Sequence, residues 1–200
     1  MLKIIQKWSK NYRASHKPDV IIGADRNPPY MKRWWIIPRN RWFNIYLHEV
    51  GQDDDDRALH DHPWVNMSYV IEGGYNEHTI EYGGIHRRVP RLPGAIKFRL
   101  PSAAHRLELR GDKAVSLFIT GPNIRKWGFH CPKGWRRYED FVTMETLPDG
   151  TVVSNQGKGC GEGNTSVRNE ETSRNQEKER DSARSRKFEV PTEDYVPEGT

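Results

Sequence analysis

Two hydrophobic periods divide the chain. Leu2, Ile5, Trp8 and Tyr12 recur at helical spacing near the N-terminus, which predicts a short amphipathic helix whose apolar stripe packs on the body of the protein or on a second subunit. Beyond it the period drops to two. Residues 19–23 read as a short strand, Asn27, Pro28 and Pro29 as a turn, and residues 31–38 as an aromatic and branched stretch. Residues 42–50 alternate, with Phe43, Ile45 and Leu47 on one face and Trp42, Asn44, Tyr46 and His48 on the other. Further strands are expected at 67–72, 75–82, 85–90, 95–100, 105–109 and 115–120, separated by glycine and proline turns. Many short strands without a long helical period indicate an all-β sandwich or barrel.

The pattern stops near residue 155. Residues 155–200 hold almost no apolar side chains among dense mixed charge, too few to offset the entropy of ordering, so a folded domain at 1–154 and a disordered tail at 155–200 are expected. The tail carries 8 Lys and Arg against 10 Asp and Glu, which leaves 24 against 17 and a net charge of +7 in the body. A basic body suits anionic partners. Nucleic acid is disfavoured among them, because no nucleic-acid motif accompanies the aromatic and basic residues around Trp127. Nothing in the N-terminal stretch is apolar for long enough to span a membrane. Two cysteines, Cys131 and Cys160, the second in the expected tail, make a structural bridge improbable and a reducing cytoplasm the simplest compartment.

Three histidines carry the candidate chemistry. His60 and His62 lie two apart, so on a strand both imidazoles share a face and reach one ion. The chain then reads PWVNMSYVIEGG, a β-branched strand stopping at Gly73 and Gly74. A second segment, PGAIKFRLPSAAHRLEL, runs from a turn at Pro93 and Gly94 through a strand with Ile96, Phe98 and Leu100 to a turn at Pro101 and then His105. On these residues the chain resembles the cupin superfamily over residues 41–121. His60, His62 and Gly73 fit its first motif; Pro93, Gly94, Pro101 and His105 fit its second. The resemblance implies a double-stranded β-helix jelly roll, with His60, His62 and His105 as metal ligands. It also implies a homodimer.

One position departs from that pattern: Asn66 stands where most cupins place a ligating glutamate. An amide oxygen is neutral and a weaker ligand, so three imidazoles are the expected first shell, with Asn66 beside the ion or bonded to its water; the alternative is a site that has lost its metal. Three neutral ligands leave the ion's double positive charge intact and favour a small anionic substrate. On Fe(II) they leave room for a chelating substrate and dioxygen, hence an oxygenase. On Zn(II) they suit a hydrolase or lyase and on Mn or Ni an isomerase; a non-catalytic binding cupin is the remaining reading. Arg87, Arg88, Arg91, Arg99 and Arg106 surround the second motif, and Arg99 or Arg106 is the candidate to neutralise the substrate. His48 is a reserve site residue that is expected to be structural, and Glu77 is a candidate carboxylate contact for metal or substrate, with an exposed strand residue as the commoner case. Asp61 is expected to turn away from the ion, and the run from Asp53 to Asp56 to be a solvated turn. Residues 121–141, with Trp127, Phe129, Trp135 and Tyr138, are read as a cap over the barrel mouth or as a hydrophobic contact.

Overall fold

The computed structural model describes residues 1–54, 58–132 and 134–156, which fall in one compact unit, 1–160. The expected tail lies, beyond residue 156, outside the described residues, as do Asp55 and Asp56 of the acidic run. A helix, α1 (Leu2–Ser15), precedes twelve strands: β1 (Val20–Ile22), β2 (Met31–Trp35), β3 (Asn44–Val50), β4 (Leu59–His60), β5 (Asn66–Glu81), β6 (Ile85–Arg91), β7 (Ile96–Arg99), β8 (His105–Thr120), β9 (Gly128–Cys131), β10 (Gly134–Arg137), β11 (Val142–Thr146) and β12 (Val152–Gln156). They pair in the order β10-β9-β4-β8-β3-β2-β1-β12-β11, and β5 joins β8 to β6 and β7. Every pairing is antiparallel except β1 with β12. This curled, mostly antiparallel sheet is the jelly-roll architecture expected from the strand pattern.

Four of the expected strands are halves of two long ones. Residues 67–72 and 75–82 merge in β5, because Gly73 and Gly74 bend the chain without ending it, and 105–109 and 115–120 merge in β8, which pairs with both halves of β5. The β5–β8 register shifts on either side of Gly73, as at a bulge. Gly73 has φ +67°, and a Cβ there would sit 2.0 Å from the Lys113 carbonyl oxygen, so no other residue fits this crossing.

The two faces of the sheet do different work. On the outer face Trp34, Leu47, Ile71 and Val115 form a cluster that Ile5 and Tyr12 of α1 cover, which fulfils the helix's apolar stripe. Gln6 Nε2 donates to the Ile71 carbonyl at 2.9 Å, the Trp34 indole donates to the His16 carbonyl at 2.9 Å, and Arg13 bridges Glu49 and Glu72. On the inner face a row of paired residues, Val20, Arg33, His48 and Ser116, crosses β1, β2, β3 and β8 and lines a cavity of about 610 Å³. Further along, Ile96, Phe98 and Leu100 are exposed, whereas Arg99 between them is buried. Cys131 is disulfide-bonded, against the expectation that no bridge forms. No described helix is long and apolar enough to cross a membrane.

Candidate metal centre

Strand pairing assembles the three histidines. β4 is only two residues long, yet it lies between β8 and β9, and in its register His60 faces His105 on one side and Phe129 on the other. His62 follows the strand, its backbone N–H donating to the Pro101 carbonyl at 3.1 Å and its ring stacked on Trp64 at 4.9 Å. One nitrogen from each of His60, His62 and His105 lies within 4.8 Å of the others. The Nε2 atoms of His62 and His105 are 2.9 Å apart. Two nitrogens bound to one ion at about 2.1 Å and at right angles stand about 3.0 Å apart, so this pair fits neighbouring positions of an octahedron.

Carboxylates stand behind two of the rings. Asp54 Oδ2 is 3.4 Å from His60 Nδ1, and Glu77 Oε1 is 3.3 Å from His105 Nδ1, close enough for charge attraction though the second approach is poorly aligned for a hydrogen bond. Each carboxylate favours the proton on Nδ1 and turns the Nε2 lone pair toward the shared point, the arrangement that orients histidine ligands in metalloproteins. The His105 imidazole is pushed down to about 3, by burial first, with Glu77 opposing and the charge of Arg99 adding to the depression. His62 is also held well below the ordinary histidine range, by burial and then by His60 and His105. Neutral imidazoles are the form that a divalent ion takes.

The remaining expected residues fall in distinct places. Glu77 is 1% exposed, which corrects its reading as an exposed strand residue. Burial alone would raise its carboxyl, but His105 and Arg99 hold it well below the carboxylate range. Arg99 Nε donates to Glu77 Oε1 at 2.6 Å, Arg91 Nε donates to Oε2 at 2.8 Å, and Arg99 Nη1 reaches Ser68 Oγ at 3.0 Å and Asn66 Oδ1 at 3.4 Å. Arg99 therefore lines the cavity while its charge is spent on Glu77. Asn66 is buried, its carbonyl oxygen turned to Arg99 and its Nδ2 without a partner in the fold. Arg106 sits between His105 and Leu107, both cavity residues, so strand alternation turns it to the other face. His48 is buried in the cavity wall, where its Nε2 accepts from Arg33 Nε at 2.9 Å.

Asp61 is 1% exposed and does turn away from the three rings. Its oxygens accept from the Gly128 N–H at 2.9 Å and the Trp135 indole at 3.0 Å, and they pair with Arg125 at 2.9 Å, which fastens residues 121–141 to the barrel. That segment brings Trp127, Phe129, Tyr138 and Phe141 to the cavity, with Trp127 and Tyr138 stacked at 4.6 Å. Asp54 departs from the solvated turn: it is buried, accepts from the Tyr30 hydroxyl and takes the Leu107 N–H at 2.7 Å, while Asp53 stays exposed and takes the Leu109 N–H at 2.6 Å. Sequence reasoning also missed Arg33. Its signal was present, since Met31, Arg33 and Trp35 alternate with Lys32 and Trp34, but nothing in the sequence said which set faced inward.

Fold and site together define a mostly antiparallel jelly roll whose cavity is lined by a three-histidine cluster. Among solved structures the chain is similar to the DMSP lyase DddQ from Ruegeria pomeroyi DSS-3, at 16% identity over 56% of this chain and 57% of that one, with a TM-score of 0.42. It is similar to a mutant of the oxalate decarboxylase OxdC from Bacillus subtilis, at 21% identity over 50% of this chain and 28% of that one, with a TM-score of 0.40. A third is an uncharacterized conserved protein with a double-stranded β-helix domain from Klebsiella pneumoniae, at 16% identity over 50% of this chain and 83% of that one, with a TM-score of 0.39. The match thus spans little more than half of DddQ and about a quarter of OxdC. No family model matches the sequence, and a search of curated proteins finds no match.

Proposed function

We propose that the protein is a metal-dependent enzyme that binds a divalent ion through His60, His62 and His105 and acts on a small organic anion, with Fe(II) as the ion and oxygenation as the reaction. The observation that carries the reading is the pair of carboxylates, Asp54 and Glu77, set against the Nδ1 atoms of His60 and His105. A carboxylate behind an imidazole has little purpose in a vestigial site and a clear one in a metal site. With no carboxylate among the three ligands, the bound ion would supply Lewis acidity and one-electron chemistry with its charge undiminished.

The chain's own residues would do the rest. Glu77 and Asp54 hold two rings in the ligating tautomer. Arg99 fixes Glu77, and with Asn66 it is a positioning residue, held back from the substrate by its bonds to Glu77 and Ser68. The Asn66 Nδ2, buried and without a partner in the fold, is the donor that would meet a buried water beside the site. Trp127, Phe129 and Tyr138 exclude bulk water from the mouth. Arg106, on the opposite face, has no part in this reading.

The test is elemental analysis of protein purified without chelator or affinity tag, beside His60→Ala and His105→Ala, followed by oxygen-uptake assays with carboxylic acids. Iron near one per chain, lost in both variants, with oxygen-dependent turnover supports the proposal. Tight zinc, manganese or nickel would keep the site and move the chemistry to hydrolysis, elimination or isomerisation. No metal after anaerobic reconstitution would leave a non-catalytic binding protein. A homodimer belongs to the same proposal. The exposed apolar row Ile96, Phe98 and Leu100 supports it, and sedimentation velocity tests it.

A further inference from the structure

The cavity wall opposite α1 contains a charge that the fold does not neutralise. Arg33 lies on the inner face of β2, half-buried against the cavity. Its Nε donates to His48 Nε2 at 2.9 Å, one Nη2 hydrogen faces the Met31 sulfur at 3.9 Å, and its guanidinium lies 5.0 Å from the centre of the Tyr46 ring. None of these partners is anionic, and no carboxylate among the described residues pairs with it. Asp54, the one acidic residue lining the cavity among the described residues, is taken up by the Tyr30 hydroxyl, the Leu107 N–H and His60.

Among the described residues the lining is cationic: Arg33, Arg39, Arg41 and Arg99 stand against Asp54. Of the four, Arg99 is neutralised by Glu77, while Arg39 and Arg41 are exposed and lie against Trp35 and Trp42. A guanidinium withdrawn from bulk water without an anion is costly to keep, and its free N–H groups form a planar fork that fits a carboxylate or phosphate. His48 holds that fork in place, since it is stacked at 4.9 Å on Phe118 and burial together with Arg33 keeps it neutral and able to accept.

We propose that Arg33 is the anion-recognising residue of the cavity, and that the natural ligand is a small organic acid whose carboxylate or phosphate head meets Arg33 while its apolar body lies among Tyr46, Phe118 and Trp127. Resting on the reading of the three histidines as the reacting end, this makes Arg33 the residue that selects the substrate by charge. Arg99 then serves the metal centre and not the substrate.

The experiment titrates the full chain, as purified, with benzoate, phenyl phosphate and the neutral benzamide by calorimetry. Wild type, Arg33→Gln and Arg33→Met are compared, and the metal content of each is measured. Arg33→Gln keeps a donor for His48, so folding is preserved if the methionine variant fails. At least one anion should bind the wild type, benzamide should not, and both variants should bind that anion at least tenfold more weakly while keeping the wild-type metal content. Preference for benzoate or for phenyl phosphate tells a carboxylate head from a phosphate. The inference is overturned if no anion binds, if benzamide binds as well as benzoate, or if affinity is unchanged in the variants. Arg33-dependent binding in a protein without metal would sink the enzymatic reading alone, and metal with binding indifferent to Arg33 would sink this one alone.

Discussion

Arg99 on β7 and Arg33 on β2 both face the interior of one barrel, but Arg99 is met by Glu77 at 2.6 Å and by Ser68 and Asn66, whereas Arg33 is met by a neutral imidazole and a thioether. The first environment completes the hydrogen bonds of a buried ion and so uses the charge for structure, fixing the carboxylate behind His105. The second leaves the charge uncompensated and ready for something that arrives from outside. Burial alone therefore does not tell a structural arginine from a binding one. The partner set does.

The sharpest way to break this contrast is to remove the anion from the compensated side. Glu77→Ala leaves Arg91 and Arg99 without a carboxylate, and the loss should be about 3–5 kcal/mol, read as a fall in melting temperature on the order of 10 °C. Arg33→Met, by contrast, should leave the melting temperature of the ligand-free protein unchanged or higher. Equal losses in the two variants would erase the distinction. Next in size, Asp54→Asn should weaken metal binding roughly 10- to 100-fold by loosening His60, measured by competition with a chromogenic chelator.

A smaller effect follows from His48. Burial first and Arg33 second hold its folded value well below the ordinary one, so above about pH 6.5 both folded and unfolded chains carry it neutral. As pH falls below that point the unfolded chain takes the proton first, and stability should drop by about 1 kcal/mol per pH unit from this residue. Denaturant titrations between pH 7 and 5 measure the slope, which should be shallower by that amount in His48→Gln, the remainder coming from His62 and His105. The smallest change is expected at the surface, where Arg88 pairs with Glu108 at 2.7 Å but is half exposed: Arg88→Ala should leave the denaturation midpoint nearly unchanged in the same titrations.

Much of the site was legible because its ligands obey local rules. His60 and His62 share a face by strand parity, and His105 opens a strand after a proline turn; both facts are written in short segments. Asp54 was not legible, because a run of four aspartates looks solvated until the Leu107 N–H and the Tyr30 hydroxyl, far away in the chain, close around one of them. Glu77 was misread for the same reason: its partners Arg91, Arg99 and His105 come from β6, β7 and β8. The glycines at 73 and 74 read as a stop, because the need for positive φ is the same at a turn and at a bulge, and only pairing with β8 distinguishes them.

By itself the sequence determined the alternation of the strands, the helical stripe at Leu2, Ile5, Trp8 and Tyr12, and the identity of three imidazoles at spacings that suit one ion. It did not determine which side of each strand was the inside, since a period of two reads the same after every side chain is turned over. The curled sheet decided that. Pairing of β5 with β7 set Asn66 opposite Arg99 and Met67 opposite Phe98, α1 covered the outer face through Trp34, Leu47, Ile71 and Val115, and the polar set of β2 and β3 was left to line the cavity. The apolar residues Ile96, Phe98 and Leu100 thus came to face outward, and the arginines inward, because sheet closure is a long-range choice that no single strand can encode.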